Sequence, residues 1–217
     1  MKQPCLKTTG KLSRKDSFHP ESALPAQDRA ELSVYARSGY DRGPHVAQRR
    51  LYQSLGASQS FSLANMVPQV HANNAGIWAG IEGAVRQLAI QEGELYVVSG
   101  PVFIGDDIQQ VGLVLVPTHL WKVLYSPKQP RAGAYVVSND EMREYSTVPV
   151  SDLKAMVCVS LLPALPQNIR DVGMILPNPS AQRGKKPKRK AEVPTEEFTL
   201  QDFSRSIIDA IKRADQH

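Results

Sequence analysis

Ser38-Gly39-Tyr40-Asp41-Arg42-Gly43-Pro44-His45 and, further on, Asn65-Met66-Val67-Pro68-Gln69 leading to Asn73-Asn74 and Glu82 hold most of the polar chemistry of this chain. The first run brings a carboxylate, a guanidinium and an imidazole within five residues, and its glycines let backbone approach a substrate closely. After the second run, Ala75 to Gln91 has helical periodicity: Ile77, Trp78, Ile81, Val85 and Leu88 form one apolar stripe, the mark of a core-facing helix. Asn74 stands near the start of that helix, where an N-cap amide is the ordinary explanation. Glu82 lies two turns along and about 80° around from Asn74 at ~100° per residue, so one side of a regular helix presents both oxygens.

Outward from this stretch the chain reads as scaffold. Ser60-Phe61-Ser62-Leu63-Ala64 alternates and is expected to be a strand running into a turn at Asn65. Leu95 to Gly100 and Gly112 to Pro117 read as buried strands joined by a loop containing Asp106-Asp107, a solvated turn more readily than a metal site. Trp121 to Tyr125 and Ala134 to Val137 read as a hairpin, and Val150-Ser151-Asp152-Leu153 as a helix start. Leu161 to Pro166 is expected to close the compact region, and Asp28 to Leu32 to form a short helix before the central stretch. Thr199 to Ala214 carries Leu200, Phe203, Ile207, Ile208 and Ile211 at helical spacing behind a capping threonine, which predicts an amphipathic helix. The expected organisation is a catalytic-size domain over 1–176, a basic linker over 177–195 and this helix over 196–217.

Charge is unevenly spread over the 217 residues. Six of the 26 lysines and arginines fall between Arg183 and Lys190; without them 20 basic face 21 acidic side chains. The net charge of +5 is thus a property of the linker, and any phosphate-binding surface on the body must come from local clustering. Cys5 and Cys158, the only cysteines, exclude a disulfide framework and a cysteine-based zinc site. No apolar run of signal-peptide length opens the chain and none of about 18 residues crosses it, so the sequence reads as soluble, without a membrane partner and cytoplasmic as written.

The central side chains fit one kind of chemistry. Imidazole takes a proton from water near neutral pH, and a guanidinium grips phosphate through its planar fork. Asn74 offers a neutral oxygen suited to Mg2+, a hard cation that keeps most of its waters, and Glu82 could accept hydrogen bonds from those waters. Together they compose a metal-assisted phosphodiester hydrolysis site; the same residues also fit a glycine turn followed by a capped helix.

Ser38-Gly39-Tyr40-Asp41-Arg42-Gly43, Leu63-Ala64-Asn65-Met66-Val67-Pro68-Gln69, Asn74, Gly76-Ile77-Trp78 and Glu82 together resemble the DNA/RNA non-specific endonucleases with a ββα-metal (His-Me finger) active site. Arg14 to Phe18, Val98 to Phe103, Val116 to Lys122 and Val150 to Leu153 resemble further family blocks, so the likeness runs from about residue 12 to 168. It implies an α+β fold with a central, mainly antiparallel sheet flanked by helices. It implies an Mg2+-dependent (alternatively Mn2+-dependent) endonuclease that cleaves DNA and RNA without sequence preference. Asn74 then binds the metal directly and Glu82 through water, Arg14 and Arg42 contact phosphate and stabilise developing charge, and Asn65 and Gln69 organise the substrate site. The family base is a histidine directly after Asp-Arg-Gly. Here Pro44 holds that place, 21 residues before Asn65, and His45 follows one position late. Two outcomes stay open: a nuclease with His45 as a shifted base, or an impaired homologue that binds nucleic acid or protein. The C-terminal helix is a candidate surface for a homodimer or protein partner. Family members are often secreted, periplasmic or mitochondrial.

Overall fold

The computed structural model describes residues 18–44 and 61–179. The basic run, the predicted C-terminal helix, His45, Arg14 and Cys5 lie outside them. The frame is a four-stranded antiparallel sheet in the order β3-β6-β7-β8, from Tyr96–Val102 (β3), His119–Ser126 (β6), Arg131–Ser138 (β7) and Tyr145–Val148 (β8). β6 and β7 form the predicted hairpin in full register from His119↔Ser138 to Ser126↔Arg131.

Side-chain alternation along these strands makes two cores. Leu120 and Leu124 of β6 with Tyr135 and Val137 of β7 point to one face, where Trp78, Ile81, Val85 and Leu88 cover them. Trp121, Val123, Ala134 and Val136 point to the other, against Val148, Val150, Leu153 and Leu161. The result is helix, sheet, helix in three layers. Ile81 and Val85 are wholly buried, each worth roughly 1.5–3 kcal/mol of transfer free energy. The covering helix α2, Ala79–Glu92, ends where Gly93 takes φ +80° and returns its N–H to Ala89. On the opposite layer α3, Val150–Val157, starts where the sequence indicates, and α4, Gln167–Asp171, follows it.

The second sheet has two strands, β1 (Asp41–Pro44) and β2 (Met66–Gln69), antiparallel with Asp41 opposite Gln69 and Pro44 opposite Met66. This pair followed directly by a helix is the ββα unit the resemblance implies, and the α+β fold stands. A third small cluster, Tyr35, Leu63 and Met66 with Phe18, Ala30 and Val34, fastens the N-terminal segment and α1 (Leu32–Tyr35) to it.

Several local expectations are corrected. The strand expected to run into Asn65 begins after it: Leu63–Asn65 is a 3-10 turn capped by Ser62, whose hydroxyl accepts the Ala64 N–H, and the strand is β2. The short helix is Leu32–Tyr35 rather than 28–32. Gly112 to Pro117 forms no long buried strand but a minimal hairpin, Gln110–Val111 (β4) with Val114–Leu115 (β5). β3 is an edge strand with Tyr96 and Val98 exposed, so it is only half-buried. The compact region continues past Pro166 to Leu176, which joins the core, and Pro177, whose carbonyl accepts the Tyr135 hydroxyl at 2.5 Å. No helix among the described residues is long and apolar enough to cross a membrane.

Candidate active site

The helix after β2 does not begin at Asn74. Residues 71–72 are already helical, and Asn73–Trp78 is a π-helical turn that runs straight into α2. Asn74 is therefore inside the helix rather than an N-cap, and the wider turn changes the 80° offset that regular geometry assigns to Glu82. Isolated π-turns of this kind recur at functional sites because they re-aim side chains without ending the helix.

Asn74 is held from β1. Its Nδ2 donates to Asp41 Oδ2 at 3.0 Å, and a carboxylate only accepts, so Oδ1 is turned away from Asp41. The same Asp41 oxygen lies 2.8 Å from His71 Nδ1, one helical turn before Asn74. Arg42, next along β1, points to the opposite side and stands 4.4 Å over the Phe18 ring. Stacked this way, a guanidinium keeps its in-plane N–H donors available to an anion. Asp41, Arg42 and Asn74 line a cleft of about 430 Å³ with Phe18, Tyr35 and Tyr40. Burial pushes the Tyr35 hydroxyl up to about 12, against the opposing pull of Arg42, so it stays a neutral donor to Met66 O at 3.3 Å.

Glu82 sits in the first turn of α2. Its Oε1 is buried and accepts no hydrogen bond among the described residues; Lys122 Nζ approaches to 3.8 Å. Lys122 is only 3% exposed because alternation on β6 places it between Leu120 and Leu124 on the helix-facing side, with Nζ 4.4 Å over the Trp78 ring. Gln69 is fully buried opposite Asp41, and neither of its amide atoms has a hydrogen-bond partner among the described residues. Its side chain fills the space over Gly43, where even a methyl group would collide. Asn65 is half-buried in the 3-10 turn before β2. Asn74 and Asp41 thus meet, Arg42 lines the same cleft from the other side of β1, Gln69 lies opposite Asp41 in the strand pair, and Glu82 is on the same continuous helix as Asn74.

Three participants escaped the sequence reading. His71 is separated from Gln69 by one residue, a weak signal. Lys122 is a lone cation in an apolar strand run, a visible anomaly that could have been flagged. Asn139 sits in what reads as a turn after β7, yet its amide is a buried hub: Oδ1 accepts Val70 N (3.0 Å) and Asn73 Nδ2 (3.3 Å), while Nδ2 donates to Pro68 O (3.0 Å) and Pro117 O (2.9 Å). All four hydrogen-bonding positions of one amide are used: three hold the turn between β2 and the helix, and the fourth ties that turn to Pro117.

Comparison with known proteins agrees with this fold. The nuclease EXOG of Danio rerio, mitochondrial, is 34% identical over 181 residues, covering 72% of this chain and 52% of its own length. A nuclease of a Nostoc strain is 37% identical over 128 residues, covering 57% and 46% respectively. The chain spans about half the length of the curated relatives it matches. A chain in the crystal structure of the EndoG/EndoGI complex superposes with a TM-score of 0.64 at 25% identity, covering 71% of this chain and 72% of that one. The sequence profile of the DNA/RNA non-specific endonucleases matches residues 3–166, and the chain belongs to that family.

Proposed function

We propose that this chain is a metal-dependent, sequence-nonspecific endonuclease that hydrolyses phosphodiester bonds in DNA and RNA through a histidine-activated water. The observation that carries this reading is the Asp41 to Asn74 contact of 3.0 Å, which leaves a neutral amide oxygen turned away from the carboxylate, on a cleft that Arg42 also lines. The donor set fits Mg2+, with Mn2+ as an alternative. Among the described residues no group of three His, Cys, Asp or Glu could cage a metal, while a buried Glu82 oxygen lacks a hydrogen-bond donor. Mg2+ suits few protein ligands and a shell completed by water and phosphate. Asn74 would hold it directly and Glu82 through its waters. When bound, the metal would stabilise negative charge building on the phosphate.

The chain's own residues supply the rest. Arg42, fixed over Phe18, offers its donors to a phosphate oxygen and gains strength as negative charge accumulates there. Arg14 is the proposed second phosphate contact, and Asn65 and Gln69 shape the site. Phosphate contacts carry no base information, which is consistent with action on any sequence. Pro44 holds the place at which the motif's own histidine stands, and His45 is one residue removed from it.

Purified protein is expected to nick supercoiled plasmid and degrade RNA with Mg2+, and EDTA is expected to abolish both. No cleavage at any Mg2+ or Mn2+ concentration overturns the proposal. Salt-sensitive DNA binding that persists without cleavage would instead identify an impaired homologue acting as a binding module, with Pro44 at the base position.

A further inference from the structure

We infer that His71, oriented by Asp41, is the group that takes the proton from the attacking water; the inference rests on the nuclease reading above. The place after Asp41-Arg42-Gly43 is held by Pro44, paired with Met66 in the strand, and proline has no group that accepts a proton. Strand alternation puts Pro44 on the side of Arg42, away from Asp41. An imidazole is nonetheless built into the site from the other arm of the motif. His71 and Asn74 are three residues apart, neighbours on one helical face, and both reach the same oxygen, Asp41 Oδ2, at 2.8 and 3.0 Å.

The arrangement has the properties a general base needs. Asp41 only accepts, so in the neutral ring Nδ1 carries the hydrogen and Nε2 presents its lone pair. The carboxylate fixes the ring plane and stands ready to compensate the imidazolium that forms. The His71 side chain is 77% exposed, open to water and to a substrate strand, whereas Asp41 is 33% exposed. Because one carboxylate oxygen anchors both side chains, the imidazole cannot drift from the amide without breaking one of two hydrogen bonds.

In the step itself, an O–H bond of water breaks and its proton goes to His71 Nε2 as the oxygen's electron pair forms the new bond to phosphorus. The phosphorus–oxygen bond to the leaving sugar breaks, and that oxygen takes a proton from solvent.

The test compares wild type, His71→Ala, His71→Asn, His71→Gly and His45→Ala on plasmid under single-turnover conditions with Mg2+, with melting curves and Mn2+ titrations for each. Asparagine can still donate to Asp41 but cannot take a proton. His71→Ala and His71→Asn are expected to lower the cleavage rate by at least ~100-fold, the lower range for losing a general base. KM, melting temperature and Mn2+ affinity of His71→Asn are expected to stay near wild type. Added imidazole is expected to restore part of the His71→Gly rate, while His45→Ala is expected to cleave without it. A His71→Ala or His71→Asn protein that cleaves at near-normal rate overturns the inference while leaving the nuclease reading intact, as does loss of cleavage on His45→Ala alone. A wild type that never cleaves removes both.

Discussion

Asn139 and Gly43 show how much of the candidate site rests on side chains, or the lack of one, outside the proposed catalytic set. Replacing Asn139 with alanine strips four hydrogen bonds and leaves Val70 N, Pro68 O and Pro117 O to find other partners. The expected cost is about 3 kcal/mol of unfolding free energy, measured in urea, because buried polar groups left unpaired cost ~1–3 kcal/mol each and local water relieves part of that. Under the proposed metal role of Asn74, metal affinity is expected to fall with it, since the turn that carries Asn74 loses its tether. Nothing in one sequence reveals this role: Ser138-Asn139-Asp140 reads as a turn, and only tertiary structure brings three chain segments to its amide. Gly43 is the opposite case. Its place in the Asp-Arg-Gly motif was evident, but the reason for the glycine is the Gln69 side chain lying over it.

The helix carrying Asn74 and Glu82 was legible in its apolar stripe and illegible in its winding. Ile81, Val85 and Leu88 identify the buried face whatever the pitch, but no residue pattern announces that Asn73–Trp78 is wound wider. The same limit displaced the strand at 60–65: Ser62 and Leu63 alternate in polarity but are both buried, and the Ser62 hydroxyl claims the Ala64 N–H and starts a 3-10 turn. Strand β6 and helix α2 are coupled through Lys122 and Glu82, 3.8 Å apart with the lysine buried. Lys122→Met is expected to destabilise the fold by about 3 kcal/mol, since it leaves a carboxylate without its compensating charge. Lys122→Met with Glu82→Leu is expected to return to within about 1 kcal/mol of wild type, because an apolar pair avoids desolvating either ion. A double-mutant cycle by urea unfolding measures the coupling, and additive single effects would remove it.

The three layers follow from alternation that can be read directly. Leu120, Leu124, Tyr135 and Val137 face one way and Trp121, Val123, Ala134 and Val136 the other, so the sheet's two cores are written into β6 and β7. Where pairing is distant in sequence the reading weakened, as with the edge position of β3 and the hydrogen bond that brings Pro177 back to Tyr135. The two sheets differ in the span of chain that each must gather. β6 and β7 meet across residues 127–130, whereas β1 and β2 meet only after residues 45–65 have been traversed. Closing the longer loop costs more chain entropy before any contact returns it, although each doubling of length adds only about 0.6 kcal/mol. Folding should therefore run from the large sheet outward, with β1 docking late and opening first. Amide hydrogen exchange checks this: Arg42 and Gly43 are expected to exchange well before Val123 and Val136, and equal protection would contradict it. Late docking of β1 means that Asp41 reaches Asn74 only when the rest of the chain is already in place. A half-folded molecule holds the amide on one piece and its anchoring carboxylate on another, so the Asp41–Asn74 pair on which the proposed activity rests arrives with the closing contact of folding rather than growing in step with collapse.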